Sequence, residues 1–228
     1  MRFSVRRLLF ACLALSLLVP GPAFAASVFV KGYGVTSFQI RNAAGQVIAS
    51  GKTGTTVNIP VGPYVFAIGA ATQNISVSSA GSNQVTTYPL WVKGSKSVVI
   101  GTGPVTVTGS AGTPFTVKLR TGGGVIFTAA TGQSFDLMMD TYDLVMGPAK
   151  SSVTLNSANL SATVITGAIT TQSASGSYTV RDYAQTGVVV TVPMGRKIDT
   201  WQGSYKVELP GNRRVTANVY ANETTTAS

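Results

Sequence analysis

Few residues in this chain are of a type that performs chemistry. The sequence contains no histidine and a single cysteine, Cys12, which lies near the N-terminus. A chain that loses Cys12 has no Ser-His-Asp or Cys-His nucleophile system, no His/Cys zinc site and no haem held by either residue. Ser-Lys catalysis stays formally open, but no Ser-x-x-Lys sequence stands on a recognisable helix. Carboxylates are therefore the main remaining candidates for catalysis or metal binding.

The acidic residues form one local cluster, Asp136, Asp140 and Asp143, in the segment FDLMMDTYDL. Paired carboxylates serve glycosidases, and oxygen ligands crowded around a turn suit Ca²⁺. No Asp-x-Asp-x-Asp-Gly loop is present, and a solvated hairpin tip is the default interpretation. We expect no enzyme activity and no cofactor, and leave open whether the three aspartates bind calcium.

Charge is unevenly distributed along the chain. The sequence has 17 basic and 7 acidic residues, and every acid lies after residue 135. Such asymmetry favours an acidic partner for the first half, although scattered bases are also typical of a surface that simply keeps a protein soluble. The candidate anion-binding residues are Lys93, Lys96, Arg120, Arg196, Lys197, Arg213 and Arg214. No nucleic-acid partner is expected, because no cluster of base-stacking aromatic residues accompanies these charges.

Residues 1–25 have the three parts of a secretory signal peptide. Arginines stand in the first seven residues, an apolar run covers 8–19, and Ala23-Phe-Ala25 matches the small-residue cleavage pattern. The run is shorter than the roughly 20 residues that a membrane span needs. We expect cleavage after Ala25, export to the periplasm, outer surface or medium of a bacterium, and a mature chain without cysteine or a transmembrane segment.

The elements that follow the signal have the pattern of β-strands. Short runs rich in Val, Ile, Thr, Tyr and Phe, such as SVFVKG, TTVNIP and FTVKLR, are separated by Gly, Ser, Asn and Thr turns. This spacing is the signature of sandwiches and barrels, and alternation along each run predicts a half-buried strand.

Internal self-similarity organises these strands. The segment that begins at Phe38 aligns with the segment from Val117 at an offset of 78 or 79 residues, and a shorter third copy follows. We therefore predict three tandem small antiparallel β-sandwich modules, of the Ig-like or transthyretin-like type, over 26–94, 95–160 and 161–228. Similar strands at Ser27, Ser97 and Ala162 are expected to open the three modules, and Arg41 to correspond to Arg120.

One tyrosine per module occupies a corresponding position: Tyr64, Tyr142 and Tyr205. A turn-proximal tyrosine that packs its ring inward and bonds its hydroxyl to nearby backbone is a known device of sandwiches. We interpret the three as structural residues of the repeat. The aromatic residues taken as exposed candidates are Tyr88, Trp91 and Trp201, and Trp91 is expected to pack at the seam between modules one and two.

The hairpin around Tyr64 also carries a family resemblance. The segment Ile59-Pro-Val-Gly-Pro-Tyr-Val-Phe, followed by Ile75-Ser-Val, resembles the proline-glycine-x-tyrosine hairpin of PEGA-type and carboxypeptidase-regulatory-like modules. These are small transthyretin-like or immunoglobulin-like sandwiches of bacterial surface proteins. The resemblance implies a binding or spacer module rather than an enzyme.

The sequence thus favours an exported, non-enzymatic structural or interaction protein of the envelope or cell surface. The alternative is a binding module for an anionic glycan or another acidic surface polymer, acting through its basic, acid-free first half. Expected partners are other envelope proteins or an acidic polysaccharide, and edge-to-edge self-assembly through exposed strands is also plausible in so weakly charged a chain.

Overall fold

The computed structural model describes residues 25–32, 36–77, 97–100, 102–156, 158–172, 174–184 and 186–228. The predicted signal peptide lies outside this range except for Ala25, as do Tyr88, Trp91, Lys93 and Lys96. The described residues form an all-β structure of 21 strands without a helix. None of them accordingly belongs to a helix long and apolar enough to cross a membrane.

The strands fall into three groups of seven, which we call units 1, 2 and 3. Unit 1 contains β1 (Ala25–Val30), β2 (Ser37–Arg41), β3 (Val47–Lys52), β4 (Thr56–Pro60), β5 (Gly62–Ile68), β6 (Ala71–Val77) and β7 (Ser97–Ile100). Unit 2 contains β8 (Gly103–Val107), β9 (Pro114–Leu119), β10 (Val125–Ala130), β11 (Ser134–Leu137), β12 (Thr141–Met146), β13 (Ala149–Thr154) and β14 (Ala162–Val164). Unit 3 contains β15 (Gly167–Thr171), β16 (Ser177–Asp182), β17 (Val188–Pro193), β18 (Ile198–Thr200), β19 (Gly203–Leu209), β20 (Arg213–Val219) and β21 (Thr224–Ala227).

All three units have the same two sheets. A four-stranded antiparallel sheet follows the order third-second-fifth-sixth strand, and a three-stranded sheet follows the order fourth-first-seventh. The seventh strand runs parallel to the first in every unit, so the sandwiches are not purely antiparallel. This order also differs from the immunoglobulin constant domain, in which the first, second, fifth and fourth strands share one sheet.

The pairing corrects the expected position of two strands. Ser97–Ile100 hydrogen-bonds to β1, and Ala162–Val164 hydrogen-bonds to β8. Each therefore closes the preceding unit rather than opening the next one, and the opening strands of units 2 and 3 begin at Gly103 and Gly167. Their similarity to β1 is explained by a common setting, because each lies beside the first strand of its own unit in the three-stranded sheet.

Alternation along the strands determines which side chains enter the core. In β2, Phe38 and Ile40 are buried, whereas Ser37, Gln39 and Arg41 point outward, as the two-residue period of a strand requires. One cluster of buried side chains extends through units 1 and 2 and includes Trp201 of unit 3, and a second cluster fills unit 3. Units 1 and 2 thus share a continuous apolar interior.

The three repeat tyrosines occupy equivalent places. The hydroxyl of each donates to the carbonyl oxygen four residues earlier: Tyr64 to Pro60, Tyr142 to Met138 and Tyr205 to Trp201, each at 2.9 Å. Burial, reinforced by the negative charge of Asp140, raises the pKa of Tyr142 above its ordinary value. The Tyr142 hydroxyl therefore stays protonated, and in all three units the hydroxyl is the donor that fixes the turn between the fourth and fifth strands.

Replacement of Tyr142 by phenylalanine tests this role. Because Tyr142 is fully buried, loss of its hydroxyl leaves the Met138 carbonyl without that donor, and we expect the free energy of unfolding to fall by about 1–2 kcal/mol. The matched control is Tyr64→Phe, whose acceptor lies in an exposed setting where water can replace the hydroxyl. Urea denaturation should show the larger loss for Tyr142→Phe; equal losses would contradict the argument.

Candidate functional site

The predicted anion-binding residues that the structure describes are mostly engaged with other side chains. In unit 2, Arg120 forms an ion pair with Asp143 at 3.0 Å and also donates to the hydroxyl of Ser152. Burial tends to raise the pKa of Asp143, but hydrogen bonds from Arg120 and Ser152 and the nearby positive charges outweigh it and lower that pKa. The positive charge of Arg120 is thus compensated locally.

The basic residues of unit 3 follow the same tendency. Glu208 accepts from Arg181 at 3.0 Å and from Arg214 at 2.8 Å, and the hydrogen bond from Arg181 is the main reason why the pKa of Glu208 is lowered. Lys197 donates to the hydroxyl of Ser110 in unit 2 at 2.6 Å. Arg196 and Arg213 are exposed, and Lys93 and Lys96 lie outside the described residues.

The three clustered aspartates have separate environments. Asp136 is completely buried and faces unit 1, Asp140 is exposed and accepts from the backbone N–H of Thr141, and Asp143 is paired with Arg120. Within the described part of the chain, no group of three or more His, Cys, Asp or Glu side chains is placed to hold a metal ion. The arrangement therefore gives a calcium site no support.

Asp136 instead forms a contact between units 1 and 2. Its carboxylate accepts from the hydroxyl of Thr53 at 2.5 Å, and its backbone N–H donates to the hydroxyl of Thr36 at 2.8 Å. Both threonines are buried and flank the β2–β3 hairpin of unit 1. We call this contact, in which one aspartate is hydrogen-bonded to two threonines of the preceding unit, the junction latch.

Units 2 and 3 are joined by the same latch. The carboxylate of Asp199 accepts from the hydroxyl of Thr131 at 2.6 Å and from the backbone N–H of Ala111 at 2.7 Å. The backbone N–H of Asp199 donates to the hydroxyl of Thr113 at 2.8 Å. Asp199 is 2 % exposed, so the second junction also buries a carboxylate whose hydrogen bonds replace those it would make to water.

Backbone proximity makes each latch sterically specific. A Cβ built on Gly32 would lie 2.8 Å from the carboxylate of Asp136, and one on Gly109 would lie 2.4 Å from that of Asp199. Gly109 also has a φ of +130°, which side chains rarely adopt. Glycine is therefore required just after the first strand of one unit, where the chain passes the aspartate of the next unit.

The latch residues change at the two ends of the series. In unit 1 the position of Asp136 and Asp199 is held by Asn58, which is exposed. In unit 3 the positions of the two threonines are held by Gly176 and Met194, joined by the same backbone hydrogen bond as the threonine pairs. The first unit thus lacks the aspartate, and the last unit lacks both threonines.

A second contact recurs at each junction. The β5–β6 turn at Gly69 meets the backbone of Ile126, and the β12–β13 turn at Gly147 meets the backbone of Val188 and Val189. Ile126 and Val189 are the extra residues of β-bulges, and the corresponding residue of unit 1, Ile48, is 41 % exposed. Ile126 is buried and Val189 is half-buried where the preceding unit meets them, whereas Ile48 is exposed.

Trp201 corrects one of the sequence predictions. It was expected to be an exposed aromatic, but it is 3 % exposed and packs edge-on against Phe115 of unit 2, with ring centroids 5.6 Å apart. Met138 is the equivalent residue of unit 2 and is also buried, whereas Pro60 of unit 1 is exposed. The apolar side chain beside each tyrosine acceptor therefore belongs to a junction.

Besides these contacts, an open groove of about 1010 Å³ lies between units 1 and 2. One wall is the outward face of β2 and β3, and the other comes from β10, β11 and the turn between them. The polar side chains that line it are Thr36, Ser37, Gln39, Arg41, Ser50, Lys52, Thr128, Gln133 and Ser134. The lining contains two basic side chains and no acidic one.

The groove face of unit 1 is not neutralised as its counterparts are. Strand pairing makes Arg41 equivalent to Lys118 and Arg181. The predicted correspondence of Arg41 with Arg120 is therefore wrong by two residues. Unit 2 places Asp143 directly opposite this basic position, and Arg181 in unit 3 is paired with Glu208. At the corresponding positions unit 1 has Val65 and Ala67.

Sequence reasoning missed Arg41 and Lys52 as a pair because they stand alone in the chain. Registered pairing places Lys52 opposite Ser37, on the same outward face as Arg41. The signal that was available is the combination of an acid-free first half with alternating polar residues in Ser37-Phe-Gln-Ile-Arg41. The alternation within β2 did not show that Lys52 of β3 would lie on the same outward sheet face as Arg41, because it does not identify the strand that pairs with β2.

The latch predicts a specific loss of stability. Thr131→Val keeps the shape of the side chain but removes the donor to buried Asp199, so we expect the free energy of unfolding to fall by about 2 kcal/mol. The matched control is Thr191→Val, whose hydroxyl faces Thr179 in an exposed strand pair and whose loss should cost less than about 0.5 kcal/mol. Urea denaturation of both variants makes the comparison, and similar values for the two would contradict a special role for the latch.

Comparisons with known proteins add no identification: no family model matches the chain, and no match was found among curated proteins. The roles of these residues are therefore inferred from their own contacts, burial and charge.

Proposed function

We propose that this protein is an exported, non-enzymatic structural or interaction protein of the bacterial envelope or cell surface. In this proposal three sandwich units are held in series as a stiff spacer or scaffold. The observation that carries it is the repetition of the buried junction latch, through Asp136 at one junction and Asp199 at the next.

The energetics of the junctions support a stiff arrangement. Domains within one chain move relative to each other by default unless their interface is large and apolar. Here one apolar cluster runs through units 1 and 2 and reaches Trp201, and each junction also buries a hydrogen-bonded carboxylate. Separation of the units would expose the apolar surface and break the carboxylate's charge-assisted hydrogen bonds, so bending is costly.

The placement of the acidic residues supports a role without catalysis. Asp136 and Asp199 are held in the latches, and Asp143 and Glu208 are held in ion pairs. Asp136 is closed off from solvent and Asp143 is paired with Arg120, so neither is presented to a substrate as glycoside hydrolysis would need. Within the fold these four acids join strands or units.

The unmatched ends bear on self-assembly. A second copy docking head-to-tail through the latch would have to offer Asn58 to Gly176 and Met194, which lack the carboxylate and the hydroxyls that form the contact. A second copy would therefore not dock onto either end through the same latch. Pairing between exposed strand edges is a separate route to assembly and stays a prediction.

Distance measurements between spin labels test the stiff series. The expected mature chain has no cysteine, so Ala43→Cys in unit 1 and Ser204→Cys in unit 3 introduce two unique labelling sites at exposed positions. We expect one narrow distance distribution in double electron-electron resonance, which broadens when Thr53→Val and Thr131→Val are added. A broad distribution in the otherwise unchanged protein would refute the stiff series; Thr191→Val is the control that should leave the distribution narrow.

Export is tested by the mass of the protein recovered from a bacterial host. Cleavage after Ala25 should give a chain that begins at Ala26, which leaves the pairing of Ala26 with Ile59 and the rest of β1 intact. Replacement of Ala25 by a bulky leucine should block processing and leave the longer chain associated with the membrane fraction. Recovery of unprocessed wild-type protein from the cytoplasm would contradict export.

A second function, binding of an anionic polymer, is favoured by one specific observation. The groove between units 1 and 2 has basic side chains in its lining and no acidic ones, whereas the equivalent faces of units 2 and 3 carry their own counterions.

A further inference from the structure

We propose that the groove between units 1 and 2 is a binding site for a linear acidic polysaccharide, with Arg41 and Lys52 as the residues that engage its carboxylate or sulfate groups. The inference uses the arrangement of units 1 and 2 described above, but it does not require the third unit or a scaffold role. Arg41 and Lys52 are not among the anion-binding residues predicted from the sequence.

Arg41 is held in a defined orientation for such a contact. The carboxamide oxygen of Gln39 accepts from its Nε at 3.1 Å and from one terminal nitrogen at 2.6 Å. Because this partner is neutral, it orients the guanidinium without compensating its charge, and the remaining N–H groups stay available to an anion. A preoriented guanidinium loses less conformational entropy when it binds a carboxylate or sulfate.

The two positive charges are spaced along the groove wall. Lys52 pairs with Ser37, and Arg41 lies four residues further along β2, so at about 3.4 Å per residue the two positions are separated by about 14 Å along the strand. A single small anion would not reach both positions. A linear polymer with regularly placed charges could engage both.

The rest of the lining fits sugars better than lipid or protein. Between and opposite the two bases stand hydroxyl and carboxamide side chains, among them Ser50, Thr128, Gln133 and Ser134, which both donate and accept hydrogen bonds. These groups match the hydroxyls of a polysaccharide. Phe127 of β10 is half-buried in the unit 2 wall and adds an aromatic ring to the lining.

Affinity measurements with chemically matched polymers test the site. Dextran sulfate and polygalacturonate are the sulfate and carboxylate probes, and uncharged dextran is the neutral control; binding to the mature protein is measured by isothermal titration calorimetry. We expect both acidic probes to bind and dextran not to bind, with an affinity that falls as salt is raised. Binding of dextran as tightly as dextran sulfate would overturn the assignment to an acidic polymer, as would failure of both acidic probes to bind.

Two double variants then locate the binding. Arg41→Gln with Lys52→Gln removes both groove charges, and we expect the affinity to fall by about tenfold or more. Arg196→Gln with Arg213→Gln removes the same net charge from exposed positions outside the groove lining and should change the affinity by less than about twofold. Equal losses in the two double variants would show attraction by overall charge and would refute the groove.

Folding and function can be separated in this experiment. Arg41 is half-buried and Lys52 is exposed, both on the outward face, so the groove variant should retain the thermal unfolding midpoint of the wild type. Gln39→Leu provides a further readout, because it removes the group that orients Arg41 while keeping every charge; we expect a weaker affinity at unchanged net charge. An unchanged affinity in Gln39→Leu and in the groove double variant would leave the stiff series intact but overturn this site.

Discussion

The arrangement of the chain depends on a carboxylate buried between two sandwich units. An aspartate removed from water is stable only if hydrogen bonds replace its hydration, and Asp136 and Asp199 find these bonds on threonines that belong to the preceding unit. The contact is directional, whereas apolar burial alone would tolerate a range of angles. The threonine hydroxyls therefore determine how successive units are oriented, and the continuous apolar interior follows from that orientation.

The same contact explains why the three units are not interchangeable. Asn58 stands at the exposed end of unit 1, and Gly176 and Met194 stand at the free end of unit 3, so each end lacks what the contact requires. The exposed bulge residue Ile48 and the buried Ile126 show this difference in the apolar contacts as well.

Charge on the outward sheet faces separates unit 1 from the others in a second way. A base stands at the same position of all three faces, but only units 2 and 3 provide an acid beside it. Such surface ion pairs contribute little to stability, so their absence from unit 1 is thermodynamically inexpensive. The absence of an acid does leave Arg41 available to an external anion, because Gln39 orients its guanidinium without compensating its charge.

The sequence by itself determined the all-β class, the strand alternation, and the correspondence of Tyr64, Tyr142 and Tyr205, because local periodicity and recurring turns depend on neighbours along the chain. It did not reveal that Ser97–Ile100 and Ala162–Val164 close a unit. The first and seventh strands of a unit have similar sequences, and that similarity does not show which unit a strand pairs with. Nor did the sequence show that Asp136 is buried or that Trp201 is internal. Those properties, like the shared face of Arg41 and Lys52, depend on partners far away in sequence, which only the tertiary structure brings into contact.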